Sequence, residues 1–318
     1  MSAFKQAWWL ANPHLQSIVP TRIRRVPIEG RWFDLKTRDG DVLQVKSVEV
    51  AKPLVLLLHG LGGCAESLYV RGMQRALNRH GFSTWAWNAR GSVAPNNRAD
   101  TYHGGRHTDV QDLIDATGDR PVFALGFSLG GSMLVNALGR DARGLKAAMA
   151  VSCPFGFINN VKHLDGPAGR IYRRYLLRRL RRMAARKREH GIDIGADWAE
   201  RYPADSVLTQ LTTFQAFDDA LTGPLNGFVD AMDLYQSVDP AQVVEGIQTP
   251  TLLLQADDDP LFAPGSRPPA ALPEACQFEL TQGGGHVGFV TGAWPGCARY
   301  YAEQRAIEFF SPFVGDRP

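Results

Sequence analysis

Short apolar runs bounded by glycine or proline recur along the chain, alternating with stretches whose apolar residues return every three or four positions. PLVLLLHG (53–60), PVFALGF (121–127), LKAAMAVSC (145–153), PTLLLQAD (250–257) and CQFELT (276–281) read as buried strands. FSTWAWNAR (82–90), rich in aromatics, reads as another. SLYVRGMQRALNRH (67–80) puts Leu68, Met73 and Leu77 at helical spacing, with Ser67 as N-cap and Gly81 as stop. HTDVQDLIDAT (107–117), LGGSMLVNALG (129–139) and YYAEQRAIEFF (300–310) read as further helices. Upstream, RWFDLKT and DVLQVKSV flank the turn Arg38-Asp39-Gly40, the pattern of an antiparallel hairpin. Strands and helices alternating across short connections predict an α/β fold, with a mostly parallel, doubly wound sheet that starts from this hairpin.

The alternation breaks once. Between the strands ending near Cys153 and starting near Pro250 lies a long segment with helical patterning only, which predicts a core of residues 1–153 and 250–318 and a helical cap insertion over 154–249. Within it, residues 170–188 (RIYRRYLLRRLRRMAARKR) hold nine arginines, one lysine and no acid. The whole chain has a net charge of only +3, so without these ten cations it would be acidic. The basic character is therefore local. Ile171, Tyr175, Leu176, Leu180 and Met183 are expected near one face of this helix, with arginines around the rest. Either the arginines recognise anionic head groups or an acidic membrane surface, or they form a solvated face paired with acids such as Asp197, Glu200 and Asp205. No nucleic-acid-binding motif accompanies them, which argues against a nucleic-acid partner.

The N-terminus lacks an uninterrupted apolar h-region, and no stretch reaches the roughly 20 apolar residues of a membrane span. Cys64, Cys153, Cys276 and Cys297 are scattered, so neither a disulfide framework nor a zinc site is expected, and the expected compartment is the cytoplasm. HGGRH (103–107) spaces two histidines four apart, but its glycines break the helix a zinc site would need. No metal or cofactor is called for.

Candidate chemistry centres on ALGFSLGGSM (124–133), where Gly126 and Gly130 flank Ser128. G-x-S-x-G recurs by chance in glycine-rich chains, so its setting decides. Here Ser128 falls between a predicted strand and a predicted helix, the sharp turn that lifts a serine hydroxyl clear of the backbone. A nucleophilic serine needs a base, an orienting acid and oxyanion donors, in the chain order serine, acid, histidine. His286, in QGGGHVGF, is the only histidine after the last strand, and three glycines before it allow a tight loop. The acid should leave the end of the preceding strand, which runs into Asp257-Asp258-Asp259-Pro260. Pro260 biases Asp259 towards extended geometry, favouring it over Asp258, although spacing alone does not separate the two. HGLGG (59–63) follows the first buried strand, so the backbone N–H groups of Leu61 and Leu129 are the expected oxyanion donors. His59 is expected to shape that loop and Trp8 and Trp9 to pack the N-terminal arm onto the core.

NPHLQS, HGLGG, GFSLGG, FDDALTGPLNGFVDAMDLY, ADDDP and GGGHVGF, in this order from about residue 8 to about residue 290, together resemble the YheT-like, embryogenesis-associated branch of the α/β-hydrolases. GFSLGG is shared by many hydrolases, whereas NPHLQS and FDDALTG are specific to this branch. The resemblance implies the α/β-hydrolase fold, hydrolysis of carboxylic esters, often acyl lipids, and Ser128, Asp259 and His286 as nucleophile, acid and base. The arginine density of 170–188 departs from the branch. A scaffold that holds a lipid or another ligand without turning it over is the alternative.

Overall fold

The computed structural model describes residues 4–140 and 142–315; residues 1–3, 141 and 316–318 of the expected core lie outside the described residues. Eight strands form one sheet: β1 (Arg31–Lys36), β2 (Val42–Val48), β3 (Leu54–Leu58), β4 (Ser83–Asn88), β5 (Val122–Phe127), β6 (Leu145–Val151), β7 (Thr251–Ala256) and β8 (Cys276–Thr281). Their spatial order is β1-β2-β4-β3-β5-β6-β7-β8. β1 pairs antiparallel with β2 and β2 with β4, and every later pairing is parallel. The hairpin arises where β1 and β2 alternate apolar and polar positions. By contrast β3 and β5 are apolar on both faces and buried throughout.

Alternate residues of those central strands feed two cores. Val55, Leu57 and Phe123 pack with Val70, Met73 and Leu77 of helix Leu68–Arg79 and with Phe309 and Phe310 of helix Tyr301–Phe310. Leu56, Leu58 and Ala124 face the opposite layer, against Val110 and Leu113 of helix His107–Asp115 and Met133 and Leu134 of helix Leu129–Gly139. The helix expected over 129–139 has those bounds, and the others differ by one or two residues where their ends fray.

Between β6 and β7 the chain is helical, including Phe157–Asp165, Arg170–Asp193 and Ala231–Val238. The arginine-rich helix runs five residues beyond its basic stretch. Its inner side carries Tyr172, Leu177, Leu180, Met183 and Ala184, all buried. Ile171 and Tyr175, expected on that apolar side, instead stand exposed among the arginines. At 100° per residue they fall with Arg174, Arg178 and Arg182 and away from Leu180 and Met183. Among the described residues none of the ten cations pairs with a carboxylate, Asp197, Glu200 and Asp205 included. Arg173, Arg181 and Arg188 instead donate to backbone carbonyls: Arg173 to Leu164 (2.9 Å) and Gly166 (3.0 Å), Arg181 to Leu211 (2.6 Å) and Arg188 to Tyr202 (2.5 Å). Lys187 is fully buried and donates to Asn96 Oδ1 at 2.5 Å and to the carbonyl of Asp100 at 2.8 Å. Among the described residues no helix is long and apolar enough to cross a membrane.

Candidate active site

β5 ends at Phe127, and Ser128 turns the chain into helix Leu129–Gly139 with φ 51° and ψ −120°, a conformation strained for a side chain bearing Cβ. The turn is tight enough to fix its neighbours. A Cβ on Gly126 would lie 2.3 Å from the carbonyl oxygen of Gly130, and one on Gly130 would lie 2.5 Å from that of His59. The Ser128 N–H donates to Val151 O on β6 at 2.8 Å, anchoring the elbow to the sheet.

His286 sits on the loop after β8. Its backbone N–H donates to Ser17 Oγ (2.8 Å), while Gly283 and Gly285 donate to Asp257 Oδ1 (2.7 Å) and Asp258 Oδ1 (2.8 Å). Two of the three adjacent aspartates thus fasten the histidine loop. The third, Asp259, is buried, accepts from Leu261 N at 2.9 Å and reaches the ring: Asp259 Oδ2 lies 2.7 Å from His286 Nδ1. His286 Nε2 lies 2.9 Å from Ser128 Oγ. Phe262 meets the imidazole edge-on at 5.3 Å. A hydroxyl, an imidazole and a buried carboxylate in line can move the hydroxyl proton onto Nε2 and stabilise the resulting imidazolium.

The HGLGG loop follows β3. Burial pushes the His59 imidazole down to about 4, so it stays neutral; Nδ1 lies 2.8 Å from Gly60 O, and Nε2 accepts from Ala89 N at 3.1 Å. His59 therefore shapes the loop. The N–H groups of Leu61 and Leu129 have no acceptor among the described residues, and both leucines line a cavity of about 130 Å³ with Ser128. The cavity wall is apolar, with Phe157, Leu176, Leu180, Met183 and Phe214 contributed by the helical segment. One exception is Asp218, at the start of a π-helical turn (Asp218–Thr222). Burial raises its carboxyl to about 6, and it accepts from Tyr235 Oη at 2.6 Å.

NPHLQS, whose composition points to no chemistry, holds the site from outside. Gln16 both donates to Val290 O (3.0 Å) and accepts from Val290 N (2.9 Å), and Ser17 holds His286, so this arm positions the histidine loop. Trp8 and Trp9 donate through Nε1 to Ala293 O (2.7 Å) and Gly292 O (3.1 Å) just beyond it; Trp8 is otherwise exposed. Also unforeseen were Ser152, Val287 and Phe289, which with Ser128 have positive φ. Ser152 Oγ accepts from Val287 N at 3.1 Å, tying the end of β6 to the histidine loop. No periodicity marks such residues, because their signal is a contact between distant segments.

A family model described as alpha/beta hydrolase fold matches residues 53–293. The chain belongs to the α/β-hydrolases. Among hydrolases of this family it is 33% identical to the Escherichia coli K12 protein named "Putative esterase YheT", over 89% of this chain and 85% of that one. It is 31% identical to a Saccharomyces cerevisiae monoacylglycerol lipase over 80% of this chain, spanning 58% of the yeast protein. An esterase of Pyrococcus furiosus shares the hydrolase fold with a TM-score of 0.60, at 15% identity over 99% of this chain and 97% of that one. The mostly parallel sheet with its antiparallel start is the fold the sequence predicts.

Proposed function

We propose that the protein is a serine hydrolase that cleaves carboxylic esters of acyl groups. The observation that carries this reading is the line Asp259–His286–Ser128, with contacts of 2.7 and 2.9 Å, opening onto an apolar cavity beside two free N–H groups. Ser128 Oγ attacks the ester carbonyl as His286 Nε2 takes its proton, and the carbonyl oxygen becomes an oxyanion facing the N–H groups of Leu61 and Leu129. The C–O bond to the alcohol then breaks, His286 returns the proton to the leaving oxygen, and water repeats the sequence on the acyl-enzyme. Asp259 holds the imidazole with its proton on Nδ1. The acyl group occupies the apolar cavity, and residues 154–249 act as a cap that selects it. Relatives named esterase and monoacylglycerol lipase support acyl esters as the substrate class.

A fluorophosphonate probe tests the assignment. Labelling of the wild type that disappears in Ser128→Ala, together with turnover of p-nitrophenyl esters, is the expected result. Binding of fatty acyl ligands with neither labelling nor turnover would instead establish a non-catalytic lipid-binding protein.

The exposed stripe Ile171, Arg174, Tyr175, Arg178 and Arg182 supports a second reading, in which the cap rests on an anionic membrane from the cytoplasmic side. Sedimentation with phosphatidylserine vesicles should fade as salt rises and weaken in a variant changing Arg174, Arg178 and Arg182 to glutamine. Failure to sediment at low salt rules it out.

A further inference from the structure

Leu61 is one member of a loop whose neighbouring peptides are all tied down. Gly60 N donates to Tyr69 Oη at 3.0 Å, Gly62 N donates to Tyr102 Oη at 2.7 Å, and Gly63 N donates back to Gly60 O at 3.0 Å. The tyrosines belong to the core. The carbonyl of Gly62 accepts from Arg179, which comes from the cap helix 117 residues away. The arginine's aliphatic shaft lies flat on Gly62. A Cβ there would come within 2.9 Å of Arg179 Cδ, and Gly62 has φ +66°. The guanidinium is held from its own helix by Tyr175, whose ring centroid is 5.1 Å away. Among the described residues this is the one hydrogen bond between the cap and the HGLGG loop that carries Leu61.

The connectivity gives that bond a consequence. Gly62 O and Gly63 N–H are the two ends of one peptide, and Gly60 O and Leu61 N–H are the two ends of another. Arg179 polarises the first peptide; its N–H donates to the second, and the free end of the second is the Leu61 N–H. Arg179 itself is exposed, and hydrogen-bonded peptides in series strengthen one another. A full positive charge at the head of the series both aims the Leu61 N–H and makes it a better donor to developing negative charge.

Resting on the hydrolase reading, we infer that Arg179 is a positioning residue for the oxyanion hole, so that docking of the arginine-rich helix completes the site as well as covering it. Arg181, Arg173 and Arg188 bond to carbonyls elsewhere and are not substitutes. Because the interaction acts on an oxyanion and not on the ground-state ester, it should appear in kcat and leave KM nearly unchanged.

The test compares wild type, Arg179→Met and Arg179→Lys on one p-nitrophenyl ester and measures affinity for an alkyl boronic acid, which adds to the serine hydroxyl as a tetrahedral anion. In Arg179→Met, kcat and boronate affinity should both fall about tenfold, less than the 10²–10³ for losing a donor outright, with KM within about twofold and the melting temperature unchanged. Arg179→Lys, which can still place a cation on Gly62 O, should recover most of both. Tyr102→Phe gives a second reading that does not touch the cap: it frees the same glycine from the core side and should lower kcat and boronate affinity together. Unchanged kcat in Arg179→Met overturns the inference whatever Tyr102→Phe does, as does a fall in kcat with boronate affinity intact. A wild type that neither hydrolyses esters nor binds boronate removes the hydrolase reading and this inference with it. A competent wild type matched by Arg179→Met removes this inference alone.

Discussion

At the ends of β3, β5 and β6 the site is held by backbone packed against backbone. Gly130 abuts the carbonyls of Leu58 and His59, Ser128 N–H sits on Val151, and Ser128 and Ser152 both accept positive φ. Across the cavity, the helix Arg170–Asp193 is fastened by long side chains reaching to loop carbonyls, with an apolar inner side beneath. The first region tolerates almost no change in atom positions, since its contacts are already at the steric limit. The second is held by long side chains with several rotatable bonds each, so sterics constrain its fastening less tightly. Backbone packing thus fixes the Ser128 elbow, and side-chain bonds fix the helix across the cavity from it.

The largest losses are expected at the relay. Ser128→Ala and His286→Ala should each lower ester turnover by about 10⁴-fold or more, and the double variant should be no worse than either, since the pair works as one unit. Asp259→Asn should cost on the order of 10³–10⁴, whereas Asp258→Asn, whose amide oxygen still accepts from Gly285, should cost no more than about tenfold. Steady-state kinetics on a soluble ester ranks all four. The reverse order of the two aspartates would put the acid one position earlier.

Gly130→Ala probes the rigid side without touching a reacting group. Its Cβ would lie 2.5 and 2.6 Å from two backbone oxygens that have no rotamer to escape into, so the helix start must move away from β3. A loss of about 1–3 kcal/mol in urea unfolding is expected, together with lowered kcat.

Lys187 is the fully buried anchor of the helix side. At pH 9 its neutral amine keeps two N–H groups among Asn96 Oδ1 and the carbonyls of Arg98 and Asp100, and replacing it with methionine removes both, for a loss of about 2–3 kcal/mol. Burial lowers its ammonium to about 7, with Asp100 and Asp41 pushing the other way. Between pH 7 and about 10 the unfolded chain therefore holds a proton that the folded chain has shed, and this lysine makes stability rise with pH. The contribution is present at high pH and lost as pH falls through about 7. Urea midpoints across that range should show the slope in the wild type and its absence in Lys187→Met. Smallest of all, Arg188→Gln removes one charged donor from Tyr202 O at a partly buried site and should cost about 1 kcal/mol by thermal melting.

The two regions also differed in how far the sequence exposed them. Strands β3, β5, β6 and β7 announce themselves by unbroken apolar runs, and glycines flanking Ser128 announce the elbow, because burial and steric exclusion act on residue type locally. Asp257 and Asp258 hid behind their neighbour: three identical carboxylates carry no mark of which one turns to the ring and which two take the glycine N–H groups. The arginines hid differently. Their number suggested either membrane or carboxylate partners, yet several meet backbone carbonyls, which every residue possesses and no composition reveals. The outward turn of Ile171 and Tyr175 was legible by strict angular bookkeeping along the helix and was obscured by reading apolar residues as one face.

The bond from Ser17 to the backbone of His286 joins residues 269 apart. During synthesis the arm that steadies the histidine leaves the ribosome well before the loop it steadies, which follows roughly 15 to 50 s later at 5–20 residues per second. The serine elbow can form long before that, once β3, β5 and β6 have emerged. On the hydrolase reading, a nascent chain between those two points displays the serine without its base, and an acyl ester meeting it then goes uncut. The relay closes only when two segments 269 residues apart meet.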